Sequence, residues 1–381
     1  MARLGDLFLH VRNGANIKQG LDNTGYPITR IETISNRTVN RNKMGYAGIT
    51  DVSKYSDYIL QDGDILMSHI NSEIHLGKTA LYEKKGNEII IHGMNLLSLR
   101  PNKDLIDSKY AFYYLSSQAF LRQIPNITKK SVNQASFTVS ALKELDFSVT
   151  TIEEQKKVAN DLDKLNNLIE LRTQQLSKFD KLVKSRFIEL FGEPLSNQKG
   201  WQTMSIMEAA PIKSQRGNLA DEVWLLNLDA VEAQTGTVLF KHRVQSGEIN
   251  ASTVYFTTES VLYSKLRPYL NKVVMPDEDG VATSEMIPMY PLADRLNRAY
   301  LCYWLRSDAF VKHISEKVAG AKMPRVSMDY FRSLAIEMPP LELQEEFAAF
   351  VEQTDKSKLA IQQSLEKLET LKKALMQQYF G

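Results

Sequence analysis

The sequence predicts an α+β protein in which two mixed α/β domains alternate with two long helices that pair as an antiparallel coiled coil, the second half repeating the first about a pseudo-two-fold axis. Three observations predict this. Residues 151–192 lie over residues 340–381 without a gap, at a constant offset of 189. Each of those stretches places apolar residues at the alternating four-and-three spacing of a helical seam. The regions ahead of them repeat more loosely and mix strand and short-helix patterns. The expected organisation is a domain over 1–150, a helical spacer over 151–192, a domain over 193–339 and a helical spacer over 340–381.

The helical repeat is the firmest element. Matched pairs run from one end to the other: Glu153/Glu342, Gln155/Gln344, Ala159/Ala348, Gln174/Gln363, Leu176/Leu365, Lys178/Lys367, Leu182/Leu371, Lys184/Lys373, Phe191/Phe380 and Gly192/Gly381. In the first copy Val158, Leu162, Leu165, Ile169, Leu176, Phe179, Val183 and Leu190 form the seam, interrupted by Arg172. In the second copy Phe347, Val351, Ile361, Leu365, Leu368, Leu375 and Tyr379 do so, with Thr354, Lys358 and Lys372 as its polar positions. Both stretches stop at Phe-Gly, and Glu193-Pro194 after the first is a helix-terminating signal. A helix of about 42 residues spans at most ~60 Å. Antiparallel pairing would set one domain at each end of such a spacer, an arrangement that suits a ligand with dyads of its own, as duplex DNA has.

The domain repeat is weaker but readable. Leu115-Ser-Ser-Gln-Ala-Phe120 and Ile124 match Leu305-Arg-Ser-Asp-Ala-Phe310 and Ile314 at an offset of 190, and Tyr110, Tyr113 and Tyr114 fall on Tyr300, Tyr303 and Trp304. Asp64-Ile-Leu-Met-Ser68 resembles Ser260-Val-Leu-Tyr-Ser264. Strand patterns such as Glu88-Ile-Ile-Ile91 are separated by Gly, Asn and Asp turns.

Composition bounds the class. Apolar residues make up 43% and charged residues 24% of the 381, as in ordinary soluble domains. No apolar run is long enough to cross a membrane, and Met1–His10 lacks the order of a signal peptide, so a cytoplasmic protein is expected. The lone Cys302, within an apolar run, excludes an internal disulfide or thiolate metal site. The net charge of +2 is unevenly spread: residues 1–150 carry 18 basic against 14 acidic side chains, residues 193–339 carry 16 against 17. Any electrostatic footprint for nucleic acid must therefore be a local face.

No catalytic constellation emerges. Gly77-Lys78-Thr79 looks like the end of a phosphate-binding loop, but Ser72 stands where its first glycine belongs. Pro276-Asp277-Glu278-Asp279 has no lysine partner at nuclease spacing and reads as an acidic turn. His10, His69, His75, His92, His242 and His313 include no pair at metal-ligand spacing. Glu337-Met-Pro-Pro-Leu341 lacks the acid or amide and the tyrosine of an adenine methyltransferase motif. A non-enzyme is expected, and no metal site. A coiled-coil DNA-binding regulator and a structural adaptor stand as alternatives. A regulator would normally carry one recognition element per chain, whereas this chain already holds the repeat.

At Val149–Gln155 and Glu337–Gln344, each opening a long helix, and at Leu262–Lys272 followed by Ala282-Thr-Ser-Glu285, the chain resembles the specificity subunits of type I restriction-modification systems. Thr150-Thr151 replaces the usual prolines at the first spacer. The resemblance implies two target-recognition domains that read a bipartite site in double-stranded DNA. The implied partners are two copies of a methyltransferase (modification) subunit and ATP-dependent restriction subunits. It implies no cofactor in this chain, S-adenosylmethionine, ATP and Mg belonging to the partners. The spacers would pack on the methyltransferase, giving a use to Arg172 and Lys358.

Residue type and context nominate the DNA contacts, because Arg, Lys, Asn and Gln read base edges or hold phosphate. In the first domain they are Arg12, Lys18, Arg30, Arg37, Arg41, Lys43, Ser68, His69, Asn71, His92, Asn95, Lys129, Lys130, Asn133 and Gln134. In the second they are Lys213, Gln215, Arg216, Lys265, Arg267, Thr283, Lys322 and Arg325.

Overall fold

Both repeated stretches fold as single helices of 40 residues, Ile152–Phe191 and Leu341–Phe380. They belong to a computed structural model that describes residues 2–18, 24–35, 37–131, 134–319 and 322–381. The chain divides into two units, Met1–Arg172 with Ser364–Gly381, and Thr173–Gln363, so each helix contributes to both. Among the described residues no helix is long and apolar enough to cross a membrane.

Within each unit the helices run antiparallel. In the first, Tyr379 near the end of the second helix donates to Asp161 near the start of the first, at 3.3 Å. In the second, Lys358 meets Asp180 at 2.7 Å and Arg186 meets Glu346 at 2.6 Å. Seam burial follows the domains. Val158, Leu162 and Leu165 are buried in the first unit, and Val183, Phe347 and Val351 in the second, while Ile169, Leu176 and Phe179 between them are half-buried.

The Phe-Gly ends have a physical use. Gly192 takes φ +83°, a conformation that costs other residues a clash at Cβ, and its N–H closes the helix on Ile188 O at 2.8 Å. The phenylalanine just before each glycine enters a domain core. Phe191 lies 4.7 Å from the Tyr300 ring in the second unit, and Phe380 lies 5.3 Å from Tyr110 in the first. Those tyrosines are the aligned pair of the repeat. Each also donates to a backbone oxygen just ahead of a long helix, Tyr110 to Ser148 O and Tyr300 to Glu337 O.

The first domain is built on a six-stranded sheet ordered Phe8–Asn13, Leu97–Pro101, Ile65–Met67, Thr79–Leu81, Thr38–Val39, Ile34–Ser35. Among the described residues its one parallel pairing sets Thr38 against Leu81. Ile65, Leu66 and Met67 are all buried, so this strand is covered on both faces and shows no alternation. Asp64 before it is also buried and takes a two-pronged pair from Arg100, at 2.8 Å on each oxygen. The second domain has a four-stranded sheet, His242–Gln245, Glu222–Leu226, Gly280–Thr283, Thr253–Phe256, and a three-stranded one, Val273–Val274, Val261–Ser264, Met286–Met289.

Each domain is closed by pairing its first strand with its last. Ala2–Arg3 pairs antiparallel with Asp146–Phe147, and Gln202–Ser205 with Ala335–Met338. Chain entry and exit are thereby brought together just ahead of each long helix.

The matched glutamines lock the helix starts. Gln155 is fully buried; its Oε1 accepts from Asp107 N at 2.8 Å and its Nε2 donates to Leu105 O at 3.2 Å and Thr150 O at 2.7 Å. Gln344 repeats this with Asn297 N at 2.7 Å, Arg295 O at 3.0 Å and Pro339 O at 2.8 Å. Asp107 and Asn297 in turn cap the aromatic helices Ser108–Leu115 and Arg298–Leu305. A primary amide offers both an acceptor and two donors, which is what this junction of three backbone groups requires.

Candidate nucleic-acid interface

In the first domain, the strand Ile70–Asn71 pairs with Ala135–Ser136, which pairs with Lys129–Lys130. This gathers Asn71, Lys129 and Lys130 on one small sheet, with Gln134 just ahead of its middle strand, beside Ser68 and His69, and Phe137 N donates to His69 O. In the second domain the hairpin Val318–Ala319 with Arg325–Val326 forms at the corresponding place. It lies against Lys265-Leu266-Arg267: Val326 N donates to Lys265 O, Arg267 N to Pro324 O, and Leu266 pairs with Arg325. Thus Lys129–Lys130 corresponds to Val318–Ala319, and the passage after Ser68 to the passage after Ser264. Two domains of different sheet order carry the same hairpin against the same strand passage.

The nominated side chains divide by placement. Lys18, Arg30, Arg37, Lys43, Asn95, Lys129, Lys130, Gln134, Lys213, Gln215, Arg216, Arg267, Lys322 and Arg325 are exposed. Asn133 lies outside the described residues. Lys130 pairs with Glu73 at 2.8 Å, and Arg325 with Glu285 at 2.8 Å. Arg12 lies over the Tyr58 ring, Lys213 over Tyr290 and Arg216 over Tyr255. Arg41 is half-buried and held by Glu88 at 2.6 and 2.8 Å, which drives the Glu88 carboxyl down to about 2. Ser68, His69 and His92 are buried, Lys265, Asn71 and Thr283 half-buried, and Thr283 Oγ1 has no partner among the described residues.

A cavity of about 560 Å³ opens beside the first hairpin, lined in part by Arg37, Ser68, Asn71, His75 and Lys78. Lys78 was not nominated, and its Nζ sits 2.6 Å from His75 Nδ1. Its signal was the Gly77-Lys78-Thr79 tripeptide, which is a tight turn here: Gly77 takes φ +71°, Gly77 N donates to Ser68 O and Ser68 N to Lys78 O. Glu285, which positions Arg325, was visible only as part of a motif.

Three histidines of the first domain are held neutral. Burial pushes His92 down to about 3 and His69 to about 4, and burial with Arg12 and Arg100 pushes His10 to about 4. The unfolded chain, with its histidines near 6.5, takes up protons that the fold refuses. Stability of the first domain should therefore be complete above pH 6.5 and decline as pH falls toward 4. Hydrogen exchange of the Leu97–Pro101 strand at neutral and acidic pH measures this; equal protection at pH 7 and 5 would show that the imidazoles are not neutral in the fold.

Two repeated domains, each with a hairpin against a strand passage and joined through long helices, define the class of protein as a tandem-domain one with a helical spacer after each domain. The sequence matches the family model described as Type I restriction modification DNA specificity domain twice, over residues 1–179 and 199–372, and the chain belongs to that family. It is 30% identical to the putative type I restriction enzyme MjaX specificity subunit of Methanocaldococcus jannaschii, over 98% of this chain and 90% of that one. It is 22% identical to the MjaVIII specificity subunit of the same organism, over 84% and 79%. The fold is shared with the type I restriction-modification S subunit from M. genitalium at a TM-score of 0.59 and 14% identity, covering all of this chain and 95% of that one. As a specificity subunit the chain recognises DNA by sequence and is a non-catalytic component of its system.

Proposed function

We propose that each domain reads one half of a bipartite duplex site through its hairpin and the adjoining strand passage. The support is the recurrence of that constellation in both domains where the nominated residues gather. Asn71, Gln134 and Arg267 have the donors and acceptors to read base edges, while Lys129, Lys130 and Lys322 suit phosphate. The domains are delimited as 1–150 and 193–339, with the spacers between and after them.

The partners in this reading are two methyltransferase subunits that bind S-adenosylmethionine, joined by ATP-dependent restriction subunits, all acting in the cytoplasm. Exposed apolar residues on the helices support docking there: Leu182 and Leu371, each about half exposed, occupy the same position of the repeat and offer two equivalent footholds. Lys358 is held by Asp180, which presents the pair to a partner as one unit.

Lys322 is exposed and forms no ion pair among the described residues. Lys322→Ala should weaken binding to all duplexes and lower the slope of log affinity against log salt by about one. Fluorescence anisotropy across a salt series reads both quantities; unchanged affinity and slope would place the second hairpin off the DNA.

A further inference from the structure

The first unit holds a second cavity, of about 630 Å³, between the C-terminal helix and the first domain. Its charged side chains are Arg37, Lys372, Lys373 and Glu369, and Gly381 also lines it. Among the described residues none of the three cations is in an ion pair. Lys372 is half-buried, and burial together with the neighbouring Arg37 charge lowers its affinity for a proton. Arg37 and Lys372 repel each other, Glu369 offsets that repulsion only in part, and an anion would relieve the remainder.

The second unit serves as the internal control. At the corresponding place Lys184, the repeat partner of Lys373, is neutralised by Asp308 at 2.9 Å. Asp180, the partner of Glu369, is neutralised by Lys358 at 2.7 Å. Val183, the partner of Lys372, is buried in the core. In the first unit Gln118 replaces Asp308, Ile169 replaces Lys358, and Lys372 replaces Val183. The loss of the Asp308 carboxylate and the gain of Lys372 add positive charge, while the loss of the Lys358 cation leaves Glu369 unpaired; with Arg37 included, the side chains lining the first unit's cavity keep a net positive charge.

We propose that this cavity binds a phosphate group through Arg37, Lys372 and Lys373, making the C-terminal helix part of the ligand-binding surface of the first unit alone. The favoured source is the DNA backbone, because Arg37 and Ser116 also line the adjoining cavity that contains Ser68 and Asn71. In that form the inference rests on the first domain reading DNA as proposed above. A free nucleotide is the other source of the same chemistry.

Two variants of the full chain test it, each importing the second unit's own solution. Lys372→Val removes one cation, and Gln118→Asp supplies the carboxylate that should capture Lys373. Neither should lower the melting temperature, because each relieves the repulsion among the three cations. Binding to a labelled duplex carrying the recognised sequence should weaken roughly three- to tenfold, and the salt slope should fall by about one, with the sequence preference intact. Calorimetric titration with ATP in the absence of DNA forms the second arm. Loss in the duplex arm supports the proposal with DNA as source; loss of ATP binding alone supports it with a nucleotide as source. No change in either arm overturns it, and so does loss only of methyltransferase co-purification, which would assign the cavity to an acidic protein surface. Lys322→Ala, in the other domain, is the control: if it flattens the salt slope and these variants do not, DNA reading stands and this inference alone falls.

Discussion

Replacing residues 195–335 with the corresponding stretch of another specificity subunit is expected to change one half of the methylated sequence completely and leave the other half untouched. The exchange is physically feasible because the entry and exit strands pair, Ser205 opposite Ala335, so both junctions fall at one edge of the domain. Its core is a cluster distinct from that of the first domain, and the helix residues it must receive are Val183, Phe187, Phe191, Phe347 and Val351. A donor with an aromatic residue in place of Tyr300 should therefore seat on the retained helices. Methylome sequencing of cells that supply the methyltransferase subunit gives the answer directly. A simultaneous change in both half-sites would refute reading by independent domains.

The helices were legible in the sequence because their repeat is ungapped and their seam is periodic over many turns. The antiparallel sense was an expectation, chosen because it gives the repeat a two-fold relation, and Asp161 with Tyr379 and Asp180 with Lys358 now carry it. Sheet order was not legible: the strands are two to six residues long, and the most buried of them, Ile65–Met67, has no alternation to betray its faces. Side-chain roles were legible only in type. Arg41 has the chemistry of a DNA contact, but its partner Glu88 comes from a distant segment, and nothing local to either residue announces the pair. The hairpin was missed for a similar reason, since Lys129–Lys130 and Val318–Ala319 share a backbone position and no residue type.

Gln155→Leu and Gln344→Leu should each destabilise their own unit by about 3–5 kcal/mol, although both replace a polar side chain with an apolar one of similar size in a fully buried place. The reason is that leucine satisfies none of the three backbone groups each amide serves. In the first unit Asp107 N, Leu105 O and Thr150 O would each lose the partner that the buried amide supplies, at about 1–3 kcal/mol for each group that water does not reach. Glutamate is no remedy: it keeps an acceptor for Asp107 N but offers the two carbonyls no donor, and it buries a charge. The damage should also be directional. Asp107 caps the helix Ser108–Leu115, so losing the amide loosens the aromatic helix and the start of the spacer together. Hydrogen exchange should consequently rise around residues 105–110 and 150–158 for Gln155→Leu, and around 295–300 and 339–347 for Gln344→Leu, each variant sparing the other unit. A loss of under about 1 kcal/mol in chemical denaturation, or exchange that spreads equally through both units, would mean that the repeated glutamine is not what fastens each helix to its domain.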